Sequence, residues 1–336
     1  VTLDVDRFVD RPKVVLHDHL DGGVRPGTVA DLAAERGVAL PVGDRDELAD
    51  WFTIRPGMSF EQAWSRFHLV IGLLQDADSL RRVAREAVED LAADGVVYAE
   101  TRFGPLSHLE GDLTGEEVLE AVRAGLVEGE DATGTAARLI VCAIRENGPG
   151  EATTAARLAA SWAHRGVVGF DLAGAEVGHP ADDFGEAFAL AAEAGLGLTA
   201  HAGEMDGVDS VARALELEVD RIGHGWRLAD DLAGPVTAAV VDRGLPLEIC
   251  VTSNECLGLP VDQHPLRDLV DAGLIVTVNP DDRAITTTTT SRECALWAEH
   301  HGFSDAELAA CQGAALDAAF CDEATRARVR PLLRSD

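Results

Sequence analysis

The sequence predicts an α/β fold closed into a (β/α)8 TIM barrel, with a helical excursion after the first strand. Eight short apolar runs alternate with Ala-rich amphipathic stretches of helical length, the pattern of repeated β-α units. No Gly-x-Gly-x-x-Gly follows the first run, so the competing doubly wound sheet lacks its usual sign. The polar residues with the most chemistry gather where the runs end, and barrels place their active sites at those ends.

The first run, Val14 to His19, leads into a Gly-containing turn. The others are Val96–Phe103, Arg138–Ile144, Val167–Leu172, Leu196–His201, Arg221–His224, Leu247–Val251 and Leu274–Asn279. Most are apolar on both faces, as strands buried in a parallel sheet are expected to be. Helical periodicity marks Leu80–Ala93, Glu116–Glu130, Ala152–His164, Asp183–Ala194 and Val208–Leu215. Residues 24–75 read as a helical, lid-like insertion; Trp51, Phe52, Met58, Phe60, Trp64, Phe67 and Leu73 are expected mostly to pack, with part of the segment over the site. The polar stretch Thr286–Thr290 reads as a loop or helix entry, and 305–333 as a closing helical segment. With no interdomain linker or repeat, residues 1–336 are expected to form one barrel domain.

A hydrophobic content of 46% belongs to a globular chain. The formal charge of -31 argues against nucleic acid and anionic membranes as partners, and more weakly against phosphorylated substrates. There is no apolar run of membrane-spanning length and no signal-like N-terminal segment, so a cytoplasmic location is expected. Six scattered cysteines without C-x-x-C spacing read as reduced, buried thiols. Lys13 is the only lysine. It follows no glycine-rich loop, and no downstream lysine is available for a Schiff base or, carboxylated, to bridge two metals. A mononuclear metal site remains. Self-association is left open.

His17 and His19 stand two apart on the first strand, so both imidazoles point to one face at its end. The fifth run ends in His201-Ala-Gly-Glu204, the sixth in Gly223-His224-Gly225 and the eighth in Asn279-Pro-Asp281-Asp282. Singly, each has a structural explanation: a core histidine, a turn histidine, a solvated carboxylate, an aspartate N-cap. Together, at one end of a barrel, they fit a catalytic zinc with an open position. His68, His108, His164, His179, His264, His300 and His301 are read as structural, with His108 retained as a neighbour of the site.

The chain resembles the adenosine deaminase family of the amidohydrolase superfamily. The motifs that carry the resemblance are Pro12-Lys-Val-Val-Leu-His-Asp-His-Leu-Asp-Gly22, Asp171-Leu-Ala-Gly-Ala-Glu176, His201-Ala-Gly-Glu204, Arg221-Ile-Gly-His-Gly225, Leu247-Glu-Ile-Cys250 with Thr252-Ser-Asn254, and Val278-Asn-Pro-Asp-Asp282. They span residues 12 to about 325 in the family's order. The resemblance implies one Zn2+ per chain, bound by His17, His19, His201 and Asp281. It implies that His224 positions the attacking oxygen and that Glu204 protonates ring nitrogen 1 of a purine. Asp282 would bond ring nitrogen 7, the Gly174 N–H ring nitrogen 3, and Asp21 a ribose hydroxyl. The expected reaction is hydrolytic deamination of adenosine or an adenosine-like nucleoside, with release of ammonia. The cytidine-type deaminases' Pro-Cys-x-x-Cys is absent.

Asp21, where adenine-selective relatives typically carry glutamate, favours a nucleoside. Pro280, Val251-Thr252, Ala175, Trp226 and Cys256-Leu257 depart from the family's usual pattern. They leave two alternatives: a modified adenine nucleoside as substrate, or a metal-dependent hydrolase acting on another C–N or ester bond.

Overall fold

The computed structural model describes residues 3–333; residues 1–2 and 334–336, and the side chains of Asp46 and Phe60, lie outside the described set. Eight strands run in chain order: β1 (Lys13–His19), β2 (Val96–Phe103), β3 (Ala136–Ile144), β4 (Val167–Ala173), β5 (Gly197–Ala202), β6 (Arg221–His224), β7 (Leu247–Ile249) and β8 (Val276–Val278). Each is parallel to its neighbour. β8 returns to β1 through a bridge between Asp18 and Asp281. There the His19 N–H donates to Asp281 O at 3.0 Å and the Asp281 N–H to His17 O at 3.1 Å. The barrel is thus sealed by residues predicted for the site.

Helices fill the crossovers, and local chemistry sets their ends. Asp76 caps Ala77–Ala93, and Thr114 forms a capping box with Glu117 at the start of Gly115–Thr133. Gly148–Ser161 begins earlier than periodicity predicted because Pro149 suits a first helical turn. Gly185–Glu193 begins later, after the 3-10 turn Ala181–Phe184. β7 and β8 are shorter than their apolar runs. Val251 leaves the sheet to start the helix Val251–Cys256, where the Thr252 N–H donates to the buried Glu293 carboxylate at 3.3 Å.

The insertion forms three helices, Pro26–Arg36, Arg45–Phe52 and Phe60–Leu73. The strap between the second and third is fixed over the strand ends: the Ile54 N–H donates to Ile285 O at 2.8 Å, and Thr53 Oγ1 bonds Thr287 Oγ1 at 2.8 Å. Phe52 and Leu73 are buried, while Trp64 and Phe67 are half-buried. The threonine run enters the helix Thr290–His301, capped by Thr289. The closing segment forms Asp305–Ala318, Glu323–Val329 and a last turn, Arg330–Leu333. It covers the opposite end of the barrel, with Phe320 3.6 Å from the Arg221 guanidinium, ring centroid to Cζ. All six cysteines are free, and among the described residues no helix is long and apolar enough to cross a membrane.

The barrel interior differs from the expected apolar filling. Apolar residues occupy the seam between sheet and helices, but the strands carry fully buried Glu100, Arg102, Asp171, Arg221 and Glu248 inward. Arg102 pairs with Asp171 at 3.0 Å and Glu248 at 2.8 Å; Arg221 pairs with Glu248 at 2.6 Å and Glu100 at 2.7 Å. Buried charges survive only when paired in this way.

Candidate active site

A cavity of about 460 Å³ opens at the C-terminal ends of the strands. Of the predicted site residues, His19, Asp21, Gly174, His201, Glu204, His224, Asp281 and Asp282 line it. His17 lies beneath, fully buried. Ile54, Trp64, Phe67 and Ile71 roof it from the insertion.

At its floor, one ligand atom from each of His17, His201, His224 and Asp281 lies within 4.8 Å of the others. His19 joins them: its Nε2 is 3.1 Å from His201 Nε2 and 3.4 Å from Asp281 Oδ1. His17 Nε2 is 3.2 Å from the same oxygen. The tautomers follow from what stands behind the rings. His17 Nδ1 faces Glu248 at 2.8 Å, and His201 Nδ1 faces Asp171 at 3.2 Å. Each ionised carboxylate can only accept, so each Nδ1 carries the proton and each Nε2 turns a lone pair inward. His17 Nε2 and His224 Nε2 are buried without a hydrogen-bond partner among the described residues. Inward lone pairs, a 3.1 Å contact between imidazole nitrogens and a converging carboxylate are a donor set that fits a divalent cation.

Electrostatics divides the acids. Burial opposes the charge of Asp281, but the His17, His224 and His19 imidazoles hold its carboxyl well below the usual range. Burial pushes Glu204 up to about 8, with the Asp281 and Glu176 charges adding to it. Asp282 is driven well above the usual range by burial and by Asp281 and Asp21. Burial pushes the His19 and His224 imidazoles well below their ordinary value. The acid facing the imidazoles is thus shifted down while the two acids facing the cavity are shifted up, an arrangement suited to holding a cation beside proton donors. Asp21 Oδ1 and Asp282 Oδ1 are buried without partners among the described residues, and each line the cavity.

The backbone is bent to make this possible. His224 and Asp281 hold positive φ, 59° and 62°, which costs non-glycine residues roughly 1–3 kcal/mol. Gly174 has φ +94°, and a Cβ there would meet Glu146 Oε2 at 2.1 Å. A Cβ on Gly22 would meet Asp282 Oδ1 at 1.7 Å.

Several residues that matter here escaped the sequence reading. Asp171, Glu248 and Arg102 had no role assigned, although charged residues inside apolar runs were the available signal. Asn254 Nδ2 contacts His224 Nδ1 at 3.3 Å, and its Oδ1 contacts His264 at 3.2 Å; His264, read as structural, therefore backs a site residue. His68, also read as structural, lines the cavity mouth. His108 is no part of the lining: it is buried, bonds Leu74 O at 2.8 Å, and fixes the insertion's end. The departures have local partners too. The Ala175 N–H donates to Glu146 at 3.1 Å, Cys256 Sγ to Ile54 O at 3.2 Å, and Thr252 Oγ1 meets Thr288 Oγ1 at 3.4 Å. Nothing in the structure explains Pro280.

The family profile described as adenosine deaminase matches residues 12–335. The chain is 41% identical to an adenosine deaminase of Mycobacteroides abscessus over 325 residues, 91% of this chain and 89% of that one. An adenine deaminase from Arthrobacter aurescens superposes with a TM-score of 0.88 at 28% identity, covering 96% and 98% of the two chains. The Arabidopsis ADAL protein in complex with IMP superposes with 0.85 at 27% identity, covering 98% and 97%. With motifs, barrel and profile in agreement from end to end, the chain belongs to the adenosine deaminase family.

Proposed function

We propose that this chain catalyses the hydrolytic deamination of adenosine, or a close nucleoside analogue, with one Zn2+ held by His17, His19, His201 and Asp281. The observation that carries the reading is geometric: ligand atoms of His17, His201, His224 and Asp281 lie within 4.8 Å of one another, with His19 Nε2 3.4 Å from Asp281 Oδ1, on the floor of a strand-end cavity that Glu204 and Asp282 also line. Zinc bound there supplies Lewis-acid charge that makes water nucleophilic near neutral pH.

The chain's own residues do the rest. Glu204, neutral below about 8, donates its proton to ring nitrogen 1, leaving carbon 6 electron-poor. His224 Nε2, 3.5 Å from Glu204 Oε1 and 3.7 Å from Asp281 Oδ2, stands where it orients the attacking oxygen. A C–O bond forms at carbon 6 as the attacking water gives up one proton, which restores Glu204; the remaining hydroxyl proton passes to the amine as the C–N bond breaks, so ammonia leaves and the keto product keeps the proton on nitrogen 1. Asp282, protonated, donates to ring nitrogen 7. Gly174 brings main chain to the ring edge at nitrogen 3, and Asp21 accepts from a ribose hydroxyl. The roof of Trp64, Phe67 and Ile54 excludes water.

The lining also bears on substrate. Among the described residues it holds no Lys or Arg, while Asp21 and Glu110 add negative charge. A phosphate would enter without a counter-charge, and free adenine would leave Asp21 unpaired. Uncharged nucleosides are therefore favoured over the nucleotide and the base. Ammonia release from adenosine, AMP and adenine by zinc-replete protein tests this. The expected ratio of kcat/KM favours adenosine by ~10² or more over both. Comparable turnover of AMP would overturn the substrate choice, and no release from any of the three would overturn the reaction.

A further inference from the structure

The segment bearing Glu204 is gripped on both sides of its backbone. Glu176, just beyond β4, is 2% exposed. Its carboxylate accepts from the N–H groups of Gly203 at 2.9 Å, Glu204 at 2.8 Å and Met205 at 3.0 Å, and from the Ser210 hydroxyl at 2.5 Å. Four donors converge on one anion, so the three amides share a single orientation. On the other side, Trp226 Nε1–H donates to the Glu204 carbonyl at 3.0 Å. Trp226 follows His224 and Gly225 at the end of β6, and the Arg227 guanidinium stacks on its ring at 4.8 Å. An aliphatic residue at 226 would have no donor to offer.

Resting on the reaction proposed above, we propose that Glu176 and Trp226 are positioning residues that clamp the Glu204 backbone and so fix its carboxyl against the purine ring. Trp226, which the sequence marks as bulkier than the family's usual residue, supplies the side-chain half of the clamp through its indole N–H. The side chain of Glu204 has several rotatable bonds, and its carboxyl is only as well placed as the Cα that carries it. A misplacement near 1 Å costs about 10² in rate.

The test is kinetic and structural, on zinc-loaded protein. Trp226→Phe keeps the ring and removes the N–H; kcat on adenosine is expected to fall about 10-fold while KM stays within about 2-fold. Glu176→Gln sets an amide N–H2 against backbone N–H donors; kcat is expected to fall about 100-fold or more with zinc content unchanged. In a Glu204→Gln background neither change should cost anything further, because both act through the carboxyl already lost. Multiplicative losses in those double variants would overturn the proposal. Amide hydrogen exchange of a peptide covering 203–205 reads the clamp without substrate. It should quicken about 10-fold in Glu176→Gln and by less in Trp226→Phe; unchanged exchange in both would also overturn it. If the parent protein releases no ammonia from adenosine, the proposed reaction falls, and exchange alone decides the clamp.

Discussion

Replacing Glu248 by Gln perturbs the buried carboxylate at the centre of the barrel without changing its volume. Glu248 accepts from His17 Nδ1 at 2.8 Å, Arg102 Nη2 at 2.8 Å, Arg221 Nε at 2.6 Å and Thr199 Oγ1 at 3.3 Å. Its carboxyl lies below the ordinary range: burial opposes the charge, but Arg102 and Arg221 overcome it. Glutamine must turn an N–H2 one way or the other. Toward His17 it forces the proton from Nδ1 to Nε2 and sets donor against donor at Arg102; turned round, it sets donor against donor at Arg221. Breaking a buried ion pair from one side costs about 3–5 kcal/mol. Arg102 keeps Asp171 and Arg221 keeps Glu100, so the lower end, ~3 kcal/mol, applies. At roughly 2 °C per kcal/mol for a chain of this length, the thermal midpoint of the metal-free protein should fall by roughly 6 °C. With the amide N–H2 toward His17, the tautomer change removes an inward lone pair and zinc affinity should drop about 10–100-fold; turned round, the stability loss at Arg221 is the effect expected. Differential scanning fluorimetry of chelator-treated protein and competition with a chromophoric chelator read the two effects separately. A midpoint within about 1 °C of the parent together with unchanged zinc affinity would refute the reasoning.

Other consequences follow from the same geometry. Glu204→Gln should retain zinc and bind nucleoside but lose ~10²–10⁴ in kcat, measured as ammonia release; near-normal turnover would remove Glu204 as the proton donor. Asp281→Ala should release or weaken the metal, read by elemental analysis after gel filtration, and full occupancy would show that the wrong aspartate of the pair was chosen. Gly174→Ala drives a Cβ into Glu146 at a backbone angle of +94°, so kcat/KM should fall by about 10² or more with zinc retained; an unchanged value would remove Gly174 from the ring-binding wall. Glu293, tied to Thr288 and the Thr252 N–H, is pushed up to about 6 by burial from an ordinary value of 4.5. Its raised folded pKa favours the fold below the unfolded value and loses that advantage, about 2 kcal/mol, as pH rises through 6. Glu293→Gln should therefore be less costly at pH 8 than at pH 5 in denaturant titrations, and an equal cost at both would contradict the assignment.

Much of the molecule was legible in order along the chain. Strand and helix periods are local properties, so β2 and β6 fall where their apolar runs do, and the eight-unit alternation specified the barrel. The candidate ligands were legible for a related reason: a residue at a strand end is aimed by two-residue alternation, which sequence records directly. The paired arginines and carboxylates inside the barrel were not legible as pairs. Arg102 and Glu248 are 146 positions apart, and neither run shows that the other will face it. Likewise His224 and Asp281 take positive φ because the loops around them leave no alternative, a constraint no local pattern encodes.

The opposite shifts of the two neighbouring aspartates were decided by tertiary structure alone. Asp281 and Asp282 are adjacent in sequence and chemically identical, yet one faces three imidazoles and is shifted below the usual carboxylate range while the other, buried among carboxylates, is shifted above it. The sequence by itself determined which groups are present and at which end of the barrel they emerge, because strand period and order are written along the chain. Which of them is base, acid or ligand depends on burial and on charges brought close by folding, and those exist only once the barrel has closed between Asp18 and Asp281.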